Sequence, residues 1–245
     1  MSKEYCELMN MFHDYNETFV RLYRLNSFKI NDMVDLFMKI KVNLIENKVF
    51  LPVQIISKID VALKFNNYYT REYLSLIKMI CDEYHITRIN NISPLTLYLF
   101  NKEYNIMLGD IEQSKLNLYE NNHYSIEVHE STSIFRAIMD DNVGKIIFLA
   151  EQKEFDKNIA ITSDFYPVRD YDFLSNPQLS TYNLLEICCY YGAVDCFKFL
   201  RTKFHLPITI DCLKFSFLSG VPDILNECLK ECQPVLLYGV CNCIT

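Results

Sequence analysis

Glycine is scarce in this chain, with 5 residues in 245. Many-stranded sandwiches and barrels need frequent turn punctuation, so the shortage points away from them and toward helices. No cluster of lysine and arginine interleaves with aromatics, and the formal net charge is −7, which speaks against a phosphate-backbone partner and hence against nucleic-acid binding. No run approaches the roughly 18 apolar residues that a spanning helix needs. The opening Met1-Ser2-Lys3-Glu4 leads into a polar amphipathic stretch without the apolar core of a signal peptide. These absences lead to the expectation of a soluble, cytoplasmic protein with reduced thiols.

What is present is a core. Half of the residues are hydrophobic and 14% are aromatic, which excludes a disordered chain. Leu8, Phe12, Tyr15, Phe19 and Leu22 recur at alternating spacings of four and three, one apolar face of a helix. Asn31 is suited to cap a second helix carrying Val34, Phe37, Met38, Leu44 and Ile45. Pro52 fits the first turn of a third helix, with Ile55, Ile59 and Leu63 four apart. Thr70 is suited to cap a fourth, carrying Tyr73, Ile77, Ile80 and Tyr84, and Ser93-Pro94 opens a fifth that runs to about Tyr104. From Met107 to Ser133 the periodicity weakens: Asn121-Asn122-His123 reads as a loop and Ile126-Glu127-Val128 as a short extended piece.

The second half contains an internal repeat. Leu184 to Tyr191 reads as a short apolar helix, Gly192 as its turn, and Val194 to Leu200 as a second helix. Cys212 to Ser219, Gly220 and the residues from Val221 repeat the arrangement, with the two glycines 28 positions apart and Asp195 and Asp223 each three residues after its glycine. A looser copy runs from Ile134 to Leu149, with Asp141-Asn142 at the turn. Such two-helix units cannot bury their apolar faces alone and must stack on their neighbours.

The stretch Leu184-Leu185-Glu186-Ile187-Cys188-Cys189-Tyr190-Tyr191-Gly192-Ala193-Val194-Asp195 resembles an ankyrin repeat, and Phe155-Asp156-Lys157-Asn158 resembles the turn after the second ankyrin helix. The ankyrin T-P-L-H start is reduced here to Thr181 and Leu184 of Thr181-Tyr182-Asn183-Leu184. Residues from about Ser133 to Gln233 are similar to the divergent ankyrin-like proteins expanded in some single-celled parasites, which carry a helical region ahead of their repeats. The resemblance implies an all-α fold, a helical array leading into a stacked ankyrin-like helix-pair solenoid. Its implied organisation is residues 1–130 as an N-terminal helical region, 131–234 as degenerate repeats and 235–245 as an apolar tail, read as a truncated repeat open to self-association. It implies recognition of another protein, with no cofactor and no reaction.

The candidate chemistry is thin. Cys188, Cys189, Cys196, Cys212, Cys228, Cys232, Cys241 and Cys243 are numerous enough for a thiolate zinc site or a thiol enzyme, the alternative function, but only Cys228/Cys232 and Cys241/Cys243 approach ligand spacing. The simpler expectation is that they are small buried residues at helix interfaces. The five histidines are scattered, and neither a G-x-S-x-G elbow nor a phosphate-binding glycine loop occurs. His85, Asn105 and His205 each stand between an aromatic and an aliphatic residue where a helix ends, and are read as left-handed exits. Tyr190 and Tyr191 at the Gly192 turn are the candidate interaction anchors, with packing against the next unit as the alternative. The stretch from Ile159 to Ser180 is expected to be a surface loop.

Overall fold

The computed structural model of the protein describes residues 3–169 and 180–232. They are mostly helical, with one small two-stranded ribbon, and form two compact units. The first comprises the residues up to Val128 together with the returning segment Asp164–Pro167; the second comprises His129–Ser163 and the residues from Val168 onward.

The first unit runs through α1 (Lys3–Tyr23), α2 (Ile30–Lys39), α3 (Pro52–Phe65), α4 (Thr70–Glu83), α5 (Pro94–Tyr104) and α6 (Gln113–Asn121). Its core lies between α3 and α4, where Ile55, Ile59, Leu63, Tyr73, Ile77 and Ile80 are all fully buried. The Tyr73 hydroxyl, carried into that core, donates to the Leu22 carbonyl (2.9 Å) and ties α4 to the end of α1. Pro52 starts α3 where no intrahelical donor is needed, and the Gln54 side chain accepts from the Leu51 amide (2.8 Å). Ser93 caps α5 by accepting from the Thr96 amide, and Asp60 of α3 gathers the same corner. Its carboxylate accepts from the Ser93 amide (2.9 Å), the Ser93 hydroxyl (2.6 Å) and the Thr96 hydroxyl (2.6 Å). A buried carboxylate with three donors fixes where α5 begins relative to α3.

Several sequence expectations change here. Asn31 lies inside α2, which starts at Ile30 after an uncapped Lys29, while Ser27 donates to the Asp32 carboxylate ahead of the helix. The buried face of α2 is Met33, Leu36 and, in the π-helical turns Ile40–Glu46 that continue it, Ile40 and Leu44; Val34 and Met38 face outward. Thr70 is the first residue of α4, and its hydroxyl donates to the Asn67 carbonyl (2.6 Å) rather than accepting as a cap. On α1 the buried side is Thr18 and Leu22, whereas Leu8 and Phe12 are exposed. Helix α6 fills part of the stretch of weak periodicity, and residues 126–128 are turns instead of an extended piece. The reading of Ile159 to Ser180 as a surface loop also fails for its centre. Phe165 and Tyr166 are buried, the Phe165 carbonyl accepts from Asn67 (3.0 Å), and Asp164 accepts from the Tyr119 hydroxyl (2.7 Å) and Lys115 (2.9 Å). Residues 170–179 lie outside the described residues.

The second unit contains α7 (Ile134–Met139), α8 (Val143–Ala150), β1 (Ala160–Thr162), β2 (Thr181–Asn183), α9 (Leu184–Tyr191), α10 (Val194–Phe204), α11 (Ile210–Ser219) and α12 (Pro222–Glu231). The strands pair antiparallel, Ile161 opposite Tyr182. The helices form three consecutive pairs, α7/α8, α9/α10 and α11/α12. First helices α7, α9 and α11 pack side by side in one layer; second helices α8, α10 and α12 pack in the other. The helix exits are left-handed as expected: φ is +52° at His85, +55° at Asn105 and +53° at His205.

Candidate interaction surface

The repeat is held together at its turns. Gly192 and Gly220 end α9 and α11 with φ of +71° and +65°, and Asp141 takes φ +46° at the corresponding bend between α7 and α8. The Asp141 carboxylate reaches the next pair and accepts from the amides of Asp195 (3.2 Å) and Cys196 (3.0 Å), satisfying the first donors of α10. One unit on, a Cβ at Gly192 would lie 2.7 Å from Cγ2 of Val221, so the turns are in contact there too. Lys198 of α10 and Asp223 of α12 add an exposed ion pair (2.8 Å).

At the other ends of α9 and α11, where these helices start, sits a buried polar knot that the sequence did not announce. The Arg169 guanidinium contacts Glu186 of α9 (2.9 Å) and Asp211 of α11 (3.0 Å) and lies over the Tyr182 ring, 4.7 Å from its centroid. Glu186 also accepts from the Asn183 amide (2.9 Å) and the Thr209 hydroxyl (2.7 Å), so one carboxylate serves the starts of both first helices. Burial pushes the Glu186 carboxyl above its ordinary range, against the pull of those donors and Arg169. Asn183-x-x-Glu186 is a capping box, the one part of this knot that sequence spacing could have disclosed.

Tyr190 is buried at 5% exposure, edge-on to Phe215 of α11 with ring centroids 5.3 Å apart. It therefore takes the packing alternative. Tyr191 is half-buried, and its hydroxyl shares a hydrogen bond with Nε2 of His129 (3.1 Å). Burial, helped by nearby Arg136, lowers the His129 pKa from its usual value to about 4. This is a neutral core histidine.

The thiols of Cys188, Cys189, Cys196, Cys212 and Cys228 are also interior. Cys189 lies beside Cys212 and Cys228, and burial drives both Cys188 and Cys189 well above the ordinary thiol range; in the first unit it pushes Cys81 up to about 11. Thiols held protonated are poor nucleophiles and poor ligands. Among the described residues, no group of three or more His, Cys, Asp or Glu is arranged to hold a metal ion. Cys241, Cys243 and the apolar tail 235–245 lie outside the described residues.

An aligned stretch of open apolar surface lies in the first unit. Along α2 and its π-helical continuation, Ile30, Val34, Met38 and Val42 recur every four residues, and each is at least 45% exposed. This is a second apolar stripe beside the buried one, and Phe28, 59% exposed, extends it at one end. On α1, Phe12, Tyr15, Phe19 and Tyr23 form a ladder of ring contacts with centroids 5.0 to 6.2 Å apart, and its end members are exposed. Sequence periodicity registered Val34 and Met38 of the first set and Phe12, Tyr15 and Phe19 of the second as parts of apolar faces.

Among the described residues, no helix is long and apolar enough to cross a membrane. The family described as a domain of unknown function (DUF3447) matches residues 204–242, from the last residue of α10 through α11 and α12. No curated protein and no solved structure matches the chain significantly.

Proposed function

We propose that this protein is a non-enzymatic scaffold for protein–protein interaction, built on ankyrin-like helix pairs and working in the cytoplasm with another protein as its partner. The observation that carries the reading is the stripe Ile30, Val34, Met38 and Val42, four apolar side chains in line on one helix and open to solvent. Aligned exposed apolar residues of this kind are the usual mark of a helix that meets a partner. The paired helices of the second unit, with left-handed Gly192 and Gly220 at successive turns, support the ankyrin-like part of the reading.

The test is a double substitution, Val34→Asp with Met38→Asp, in the full chain. Affinity capture from native cell extract with quantitative mass spectrometry is expected to retain partners on the wild type and lose them on the variant. Identical partner sets on both proteins overturn the assignment to α2. The alternative, a thiol-rich metal protein or enzyme built on the C-terminal cysteines, is checked by elemental analysis of the purified protein. Stoichiometric zinc there displaces the scaffold reading.

A further inference from the structure

Glu72, in the first turn of α4, is 8% exposed, yet its carboxylate makes no hydrogen bond or ion pair with another described residue. Burial pushes its carboxyl above the ordinary range, against its own backbone amide and the charge of Arg71. A first-turn acid gains from the helix dipole at the surface, so the dipole does not account for one that is buried without a partner. Arg71 is committed elsewhere. It reaches Glu103 (3.7 Å) and Glu127 (3.3 Å), which leaves three carboxylates to one cation on this side of the first unit.

The rest of the setting is aromatic. The Glu72 charge reaches the hydroxyls of Tyr69 and Tyr104, neither of which bonds to a described residue. Tyr69 packs on Phe28 with ring centroids 4.7 Å apart, and Tyr68 stands edge-on to both, at 5.2 Å from Tyr69 and 5.4 Å from Phe28. Phe28 is the exposed ring that extends the α2 stripe, so aromatic rings lead from the end of the stripe toward Glu72. One desolvated carboxylate among tyrosine rings, with surplus negative charge beside it, is complementary to an organic cation. A metal ion would ask for several oxygen ligands together.

We infer that Glu72 receives a basic side chain, arginine or lysine, from the protein that docks on the α2 stripe. The inference rests on the scaffold reading and adds the chemistry of its partner: a segment with an apolar row and, past the Phe28 end, one positive charge. The apolar row supplies burial, and the charge pair supplies register and discrimination against acidic competitors.

Ethylguanidinium, the arginine head group, is the first probe, titrated into the full chain carrying ring-labelled tyrosine and followed by NMR. Saturable shifts of the Tyr69 and Tyr104 rings are expected, and Glu72→Gln should weaken the binding at least about fivefold. Ethylurea, a neutral analogue, should shift neither ring. No saturable shift, or the same response in the variant or from ethylurea, overturns the inference. Glu72→Gln removes a buried charge that has no partner, so its urea midpoint should equal or exceed that of the wild type. A clearly lower midpoint marks Glu72 as structural and also overturns the inference. The second probe is the set of proteins captured on the wild type and lost on Val34→Asp with Met38→Asp. Glu72→Gln should hold them about tenfold more weakly. Equal retention overturns the inference and leaves the scaffold reading standing. An α2 variant that loses no partner overturns the scaffold reading itself, and the inference with it.

Discussion

At His129 the fold holds an imidazole neutral, buried against Phe135 and bonded to Tyr191, with a pKa of about 4. In the unfolded chain the same group titrates near 6.5. Between those values the unfolded state binds more protons, so native stability falls as pH drops through 6.5 and the loss is complete near 4. The total is about 3 kcal/mol. Urea unfolding at pH 7 and pH 5 should show about 2 kcal/mol of this loss in the wild type, and His129→Gln should remove most of the difference. The two turn glycines make a second comparison. Gly220→Ala meets nothing within 4 Å but keeps φ at +65°, a strain of about 1 kcal/mol. Gly192→Ala carries the same strain and must also displace Val221, so its thermal midpoint is expected to fall further than that of Gly220→Ala. The sequence placed both glycines at turns; only the packed neighbour distinguishes them.

Helix starts show how unevenly elements are legible. Ser93-Pro94 was readable because cap, proline and helix follow one another in the chain. Asn31 and Thr70 offered the same residue types, yet α2 starts one residue earlier and the Thr70 hydroxyl is drawn to Asn67. Caps are local, but the boundary is set by which face meets the core. The Asp60 corner adds a tertiary hold on a local signal, so Asp60→Ala, which leaves buried donors on Ser93 and Thr96, is expected to cost about 2–3 kcal/mol in chemical denaturation. Arg169→Met should be more severe, about 3–5 kcal/mol, because it strands Glu186 and Asp211 together in the interior. Pairing it with Glu186→Gln should recover part of that loss, and a double variant no more stable than the single one contradicts this account. Neither partner of Arg169 was visible from the sequence, since the contacts span 17 and 42 residues.

Across the whole molecule, the apolar stripe on α2 is expected to matter for association and not for folding. Val34→Asp with Met38→Asp removes only solvent-facing contacts and should alter stability by about 0.5 kcal/mol or less, while lowering the binding of an apolar dye. A large loss of stability would mean that the stripe is buried in solution. Composition and periodicity by themselves determined that the chain is helical, that its second half repeats, and where the left-handed exits fall, because these depend on residues close in the chain and on backbone freedom at single positions. Which of two apolar faces goes inward was decided only by tertiary structure. Helix α2 and the π-helical turn that continues it have Met33, Leu36 and Ile40 on one side and Ile30, Val34 and Met38 on the other, and both sets are apolar. Burial is settled by the shape of what the helix packs against, which no spacing along one segment encodes.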